Sequence, residues 1–202
     1  MTHCRDMEEK ELVGYLPESV FGLESGANND IPRVFVSPSR YIQGDGVVQN
    51  LGIYLGLIPV RRAGLLISEG GLRRFGKIIT SSLQEFGIEI VQTIFDGECS
   101  LEEIKTTVLE FKYANEPVDC IVAVGGGKCL DAGKSIAYRL GIPSVICPSL
   151  ASSNAPCSAL SALYSQKGIW EGAEFFPYNP SMVVVDTRII ADAPVRYLVA
   201  GM

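Results

Sequence analysis

The segment Cys120-Ile121-Val122-Ala123-Val124-Gly125-Gly126-Gly127-Lys128-Cys129-Leu130-Asp131-Ala132-Gly133-Lys134-Ser135 carries an apolar tract into three glycines and then into a helix-compatible pattern. Buried strand, bare turn and helix, in that order, aim backbone N–H groups and the positive end of a helix dipole at one point. Gly125, Gly126 and Gly127 present no Cβ to hold off a large anion. A phosphate suits such a mouth; the plainer reading is a tight strand-to-helix turn that binds nothing. Two familiar phosphate loops do not fit. Gly133-Lys134-Ser135 has the tail of G-x-x-x-x-G-K-[ST], but the first glycine would fall on Lys128 and the tail inside the helix. The dinucleotide fingerprint G-x-G-x-x-G lacks its last glycine, because Leu130 stands there. What remains is Gly-Gly-Gly-Lys-x-x-Asp-x-x-Lys, from Gly125 to Lys134.

Outward from this turn the chain alternates between strand and helix patterns. Strands are predicted at Arg33–Ser37, Gly64–Ser68, Ile88–Phe95, Asp119–Val124, Ser144–Cys147 and Met182–Asp186. Tyr41-Ile42-Gln43-Gly44 reads as a turn before a helix over Val47–Leu55. Gly70-Gly71 reads as a turn into a helix whose Leu72, Phe75, Ile78, Ile79, Leu83 and Phe86 repeat at helical spacing. Ser100 can cap a helix from Leu101 to Tyr113, and Leu130–Leu140 is the helix after the glycines. Ala159–Tyr164 and Trp170–Phe176 read as a β-hairpin over the sheet's edge, and Thr187–Ala191 as a short helix. Such alternation calls for a Rossmann-like parallel sheet flanked by helices, with the hairpin as an insertion. Ligands in such sheets sit at the carboxyl ends of the strands, where Glu69, Gly97, the glycine triplet and Pro148-Ser149 converge.

Residues 1–32, with a glycine- and asparagine-rich run from Gly22 to Asp30, read as a mobile extension that includes a possible short helix over Met7–Leu16. Residues 33–193 form the α/β domain. From Pro194 a new helix starts, and Val195, Leu198, Val199 and Met202 make an apolar stripe along it. Nothing else in the chain obviously covers that stripe, which points to self-association or docking.

Net charge −6 with no basic block argues against a nucleic-acid surface. No apolar run is long enough to span a bilayer. Six scattered cysteines without a C-x-x-C pair, and an acidic N-terminus without a signal peptide, point to a reducing cytoplasmic setting. The sole histidine, His3, sits in the extension. Chemistry that needs imidazole must come from outside this chain.

Read together, several motifs resemble the glycerol dehydrogenases of the iron-containing (group III) alcohol dehydrogenase family. They are Tyr41-Ile42-Gln43-Gly44, Gly97-Glu98-Cys99-Ser100, the glycine triplet with Lys128, Asp131 and Lys134, Ala151 through Ser161, and Ala193-Pro194-Val195-Arg196 through Gly201. The resemblance runs from Val34 to Met202, so it implies the N-terminal, nucleotide-binding half of such an enzyme. It implies NAD as cofactor, with Gly125, Gly126, Gly127, Lys128 and Cys129 at the pyrophosphate. Ser149, Leu150, Ala151, Ser152, Ser158, Leu160 and Tyr164 match positions that touch the nicotinamide half. Asn154 stands where the family commonly has an Asp that contacts the polyol; an amide keeps an acceptor oxygen but loses the charge.

Glu69 stands where the family has Asp against the adenine ribose. A carboxylate there favours NAD over NADP by accepting from the 2′-hydroxyl and repelling a 2′-phosphate; the plain alternative is a solvated strand-end acid. Asp131 and Lys134 are either a surface ion pair worth a few tenths of a kcal/mol or, as the resemblance implies, residues that order the phosphate loop. The family's metal ligands, an Asp just past the glycine-containing segment that ends this chain and two later histidines, fall beyond Met202. Zinc or iron is thus expected only in a full-length relative, with residues 194–202 beginning the truncated helical domain.

Two readings follow. The first is the NAD-binding portion of a glycerol dehydrogenase-like enzyme, a fragment inactive alone, whose parent reaction takes glycerol to dihydroxyacetone. The second is a non-catalytic nucleotide-binding or interaction module that docks a partner through the terminal stripe.

Overall fold

The computed structural model describes residues 15–17, 34–95 and 97–202. The extension assigned to residues 1–32, with its possible helix over Met7–Leu16, lies outside the described residues apart from 15–17.

Six parallel strands form one sheet in the order β1 (Tyr41–Gly44), β8 (Met182–Asp186), β5 (Ser144–Pro148), β4 (Cys120–Gly125), β2 (Arg62–Ile67), β3 (Glu89–Ile94). The remaining strands, β6 (Leu160–Tyr164) and β7 (Trp170–Phe175), pair antiparallel as a separate hairpin. The central strands are apolar along their length because both faces are covered. On one face Leu65, Ile67, Val122, Val124, Val145 and Cys147 pack with Leu51 and Leu55 of α1 (Leu51–Leu55) and Ile79 and Leu83 of α3 (Lys77–Glu85). On the other, Leu66 and Ile121 pack with Ile104 and Phe111 of α4 (Leu101–Lys112) and with Ala132 and Ile136 of α5 (Gly127–Leu140). The strand period of two sorts alternate residues into these two cores.

Several boundaries differ from those predicted. Tyr41–Gly44 is a strand, not a turn, and pairs Tyr41 with Val183. Four residues on an edge, alternately exposed and half-buried, are too few for periodicity to register. Residues 34–37, predicted as strand, have no regular structure, and Phe35 stands in solvent. The helix expected over Val47–Leu55 is a 3₁₀ turn, Val47–Asn50, followed by α1. The hairpin packs on α5, not over the sheet's edge: Ser161 Oγ donates to the Asp131 carbonyl at 2.8 Å, and Ser135 Oγ to Glu174 at 2.6 Å.

Gly70-Gly71 does not turn the chain; it lies inside α2 (Glu69–Gly71). Ser68 caps that helix, its Oγ accepting from the Gly71 N–H at 3.1 Å. A π-helical turn, Leu72–Gly76, then leads into α3. At the far end come α6 (Thr187–Ala191), capped by Asp186, and α7 (Val195–Ala200).

Candidate functional site

After β2 the chain places β3 on one side of it, then returns to lay β4 on the other. The order therefore reverses between β2 and β4, and the crevice beyond their carboxyl ends is where open α/β sheets bind ligands. Ile67 pairs with Val124, so the next residues, Ser68 and Gly125, flank that crevice.

Gly125 ends β4, Gly126 is extended, and α5 begins at Gly127 with no side-chain cap. The helix begins three residues earlier than predicted. Its first N–H groups, from Gly127 to Cys129, have no carbonyl within the helix to bond. The first in-helix bond runs from Leu130 N to Gly126 O at 3.1 Å. The glycines are not equivalent. A Cβ on Gly126 would meet Leu150 Cδ1 at 2.9 Å and one on Gly127 would meet Ser153 Oγ at 3.4 Å, so both keep the mouth of the helix open. A Cβ on Gly125 would meet the Cys129 side chain at 2.9 Å, so its bareness serves packing.

Two clefts meet at this mouth. One, about 710 Å³, runs towards the hairpin and is lined by Lys128, Asn154, Ser158, Leu160 and Tyr164 among others. The second, about 730 Å³, runs between the π turn and the terminal helices, past Arg74, Phe75, Ser149, Ile189 and Pro194. Ser68, Gly126, Leu150 and Tyr197 line both. The result is a groove along the strand ends with the helix N-terminus at its middle.

A family model described as iron-containing alcohol dehydrogenase matches residues 42–194. The chain belongs to the iron-containing alcohol dehydrogenase family. Glycerol dehydrogenase of Escherichia coli O6:H1 is 38% identical over 173 residues, covering 84% of this chain and 46% of that protein. Glycerol dehydrogenase of Thermotoga maritima is 40% identical over 167 residues, covering 83% and 44%. The crystal structure of glycerol dehydrogenase from Schizosaccharomyces pombe matches with TM-score 0.78 at 34% identity, covering 84% of this chain and 42% of that one. The chain thus spans about half the length of the curated relatives it matches.

In this member of the iron-containing alcohol dehydrogenase family, Asp131 and Lys134 do not lie on a helix surface. Their side chains are 8% and 3% exposed and 2.8 Å apart. Lys134 Nζ donates to Ala155 O at 2.8 Å, to Ser158 Oγ at 3.0 Å and to the Leu160 carbonyl. Asp131 accepts from the Ala162 N–H at 3.1 Å. The pair thus staples the loop after β5 and the start of the hairpin to α5, shaping the first cleft. Burial pushes the Asp131 carboxyl up and the Lys134 ammonium down, and each partner opposes the other's shift. Gly133, the residue that suggested a P-loop tail, lets α5 approach β4, since a Cβ there would run into Ala123.

The other predicted residues divide. Ser149 N–H bonds Gly125 O at 2.8 Å, tying the loop after β5 to the glycine turn. Lys128 ion-pairs with Glu98 and lies 4.7 Å over the Tyr164 ring, spanning the first cleft's wall. The Cys129 side chain is buried, its Sγ directed at Val124 O at 3.5 Å, so only its backbone faces the mouth. Ser152 lines the first cleft but Ala151 lines neither; its carbonyl abuts Gly201 of the terminal segment.

Glu69 also lines neither cleft. It is the first residue of α2, not the end of β2, and its carboxylate is 72% exposed and 3.5 Å from Arg73. Ser68 lies between the end of β2 and Glu69. Tyr197 lines both clefts, and its place between members of the apolar stripe carries no sequence signal for that position.

Among the described residues, no group of three or more His, Cys, Asp or Glu could hold a metal ion. Among them, too, no helix is long and apolar enough to cross a membrane.

Proposed function

We propose that this chain supplies the NAD-binding part of a glycerol dehydrogenase-like oxidoreductase and does not turn over substrate by itself. The parent reaction is glycerol + NAD⁺ → dihydroxyacetone + NADH + H⁺. The observation that carries the reading is the groove centred on Gly126: two clefts meet at an uncapped helix N-terminus that a side chain would block.

The N–H groups of Gly127, Lys128 and Cys129 would hold the pyrophosphate. Gly126 and Leu150 form the floor on which it crosses from one cleft to the other. The nicotinamide half would lie in the first cleft, against Ser158, Leu160 and Tyr164, with Asn154 offered to a polyol hydroxyl. Bound there, the dinucleotide accepts hydride from the alcohol carbon.

In this reading the catalytic zinc or iron and its ligands belong to the part of the enzyme that corresponds to the other half of the relatives' length. Asn154 does not replace them, because an amide is no base near neutral pH. The exposed Val195, Leu198, Val199 and Met202 favour docking of this terminal segment against that half. A reducing, cytoplasmic setting suits the buried free thiols of Cys99, Cys120, Cys129 and Cys147.

The test titrates the purified chain, freed of host dehydrogenase, with NADH by calorimetry, then follows NADH absorbance with glycerol and added zinc. Binding without turnover is expected, with activity restored by a separately expressed helical half from a relative. Failure of folded protein to bind NADH overturns the site; metal-dependent turnover by the chain alone overturns its dependence on a partner.

A further inference from the structure

Gly97-Glu98-Cys99-Ser100 joins β3 to α4 beside the first cleft. Gly97 lines the cleft. Cys99 is buried, and its carbonyl accepts from the Tyr164 N–H at 2.9 Å. Ser100 caps α4, its Oγ accepting from the Glu103 N–H at 3.2 Å. Glu98 turns its carboxylate to two other elements. Its Oε2 is shut off from solvent and pairs with the Lys128 ammonium at the start of α5. Its Oε1 sits against the hairpin turn, 3.3 Å from where a Cβ on Gly168 would stand.

Lys128 in turn lies 4.7 Å over the Tyr164 ring. The hairpin's register shifts between Leu163 and Tyr164, an irregularity of the kind that re-aims a side chain. The backbone bond to Cys99 fixes where the Tyr164 side chain starts, and the cation over its face favours one place for the ring. A lysine ammonium on its flexible four-carbon stem does not keep such a position by itself; the shielded oxygen of Glu98 holds it there. The charged residues lining this cleft are Lys128 and Asp131, and each has its counter-charge, Glu98 and Lys134 respectively. The cleft thus presents a charge-balanced aromatic wall.

From this arrangement we infer that Glu98 is a positioning residue for the nicotinamide half of the dinucleotide: it anchors Lys128 over Tyr164 and so sets the wall against which the ring lies. The inference rests on the dinucleotide reading of the groove. Glu98 itself lines neither cleft, so it acts through Lys128 and Tyr164, and a ligand without the nicotinamide should be indifferent to it.

The test compares NADH with ADP-ribose, which lacks the nicotinamide, by calorimetry on the unaltered chain, on Glu98→Gln, on Lys128→Met and on the double variant. Glu98→Gln should weaken NADH about fivefold and ADP-ribose by less than about twofold. On the Lys128→Met background the same substitution should cause no further loss, because the cation it anchors is gone. The emission of bound NADH in Glu98→Gln should also move towards that of free NADH, a signature that lost stability alone would not give. Equal weakening of both ligands by Glu98→Gln, unchanged NADH affinity, or additive losses in the double variant overturns the inference and leaves the dinucleotide site standing. If neither ligand binds the folded, unaltered chain, the dinucleotide site itself falls and the inference with it. Should Glu98→Gln not fold, Lys128→Met decides: NADH weakened about fivefold more than ADP-ribose upholds the inference, and equal weakening of the two overturns it.

Discussion

Lys134 reaches from the middle of α5 to the carbonyl oxygen of Ala155, 2.8 Å away and 21 residues along the chain. It thereby fixes the loop that walls the first cleft to the helix whose N-terminus forms the mouth. Removing the ammonium leaves Asp131 buried without its counter-charge and several carbonyls without a donor. Lys134→Met should cost about 3–5 kcal/mol in urea unfolding, and adding Asp131→Asn should recover part of it. Burial already raises the Asp131 carboxyl, and losing Lys134 raises it further. A carboxyl raised in the folded state binds a proton there more readily than in the unfolded chain. The variant's deficit should therefore shrink as pH falls from about 7 to about 5. A deficit that grows over that range would reject the assignment.

Gly126→Val should abolish dinucleotide binding while leaving the fold intact by circular dichroism. The first added carbon would already stand 2.9 Å from Leu150 Cδ1, at the junction of the two clefts. Leu150 is a flexible side chain on a loop and can give way, so the branched residue occupies the groove more than it strains the core. Unchanged NADH affinity in calorimetry would remove Gly126 from the site.

The sheet, the glycine mouth and the hairpin were legible because long apolar runs and turn residues are local signals. Gly125-Gly126-Gly127 announced the passage from strand to helix. Three things were not legible, the first two because they depend on contacts remote in sequence. Tyr41–Gly44 becomes a strand only through pairing with Met182–Asp186. Asp131 and Lys134 have the spacing of a surface pair, and only the hairpin's arrival over α5 buries them. The end of β2 was misplaced by one residue, and in a strand-to-helix junction one residue moves a side chain from the cleft to the solvent. Glu69 and Ser68 differ in just this way.

Thiol reactivity should separate the cysteines. Burial pushes Cys120, Cys129 and Cys147 up to about 12 and raises Cys99 as well. Cys157 is only partly buried and its rise is opposed by Lys134. Because the thiolate is the nucleophile, iodoacetamide at about pH 8 should label Cys157 in the native chain before these four, which should react only on unfolding. Peptide mass mapping reads this directly. Native-state labelling of Cys129 ahead of Cys157 would show that the helix mouth opens more than the structure indicates.

The apolar stripe of α7 offers the last test. Val195, Leu198, Val199 and Met202 are 72%, 49%, 65% and 98% exposed, while Gly201 seats the same segment against Ala151. The helix is thus held by its inner side with its outer side bare. Burying each of these side chains is worth roughly 1.5–3 kcal/mol at most, enough in combination to drive association. The chain by itself should self-associate in sedimentation velocity at micromolar concentration, and Leu198→Ser with Val199→Ser should shift it towards monomer. Neither position lines the clefts, whose shared wall includes Tyr197. Dinucleotide affinity should therefore be unchanged in the double variant, which separates loss of docking from loss of fold. A clean monomer before the substitutions would refute the docking role of this surface.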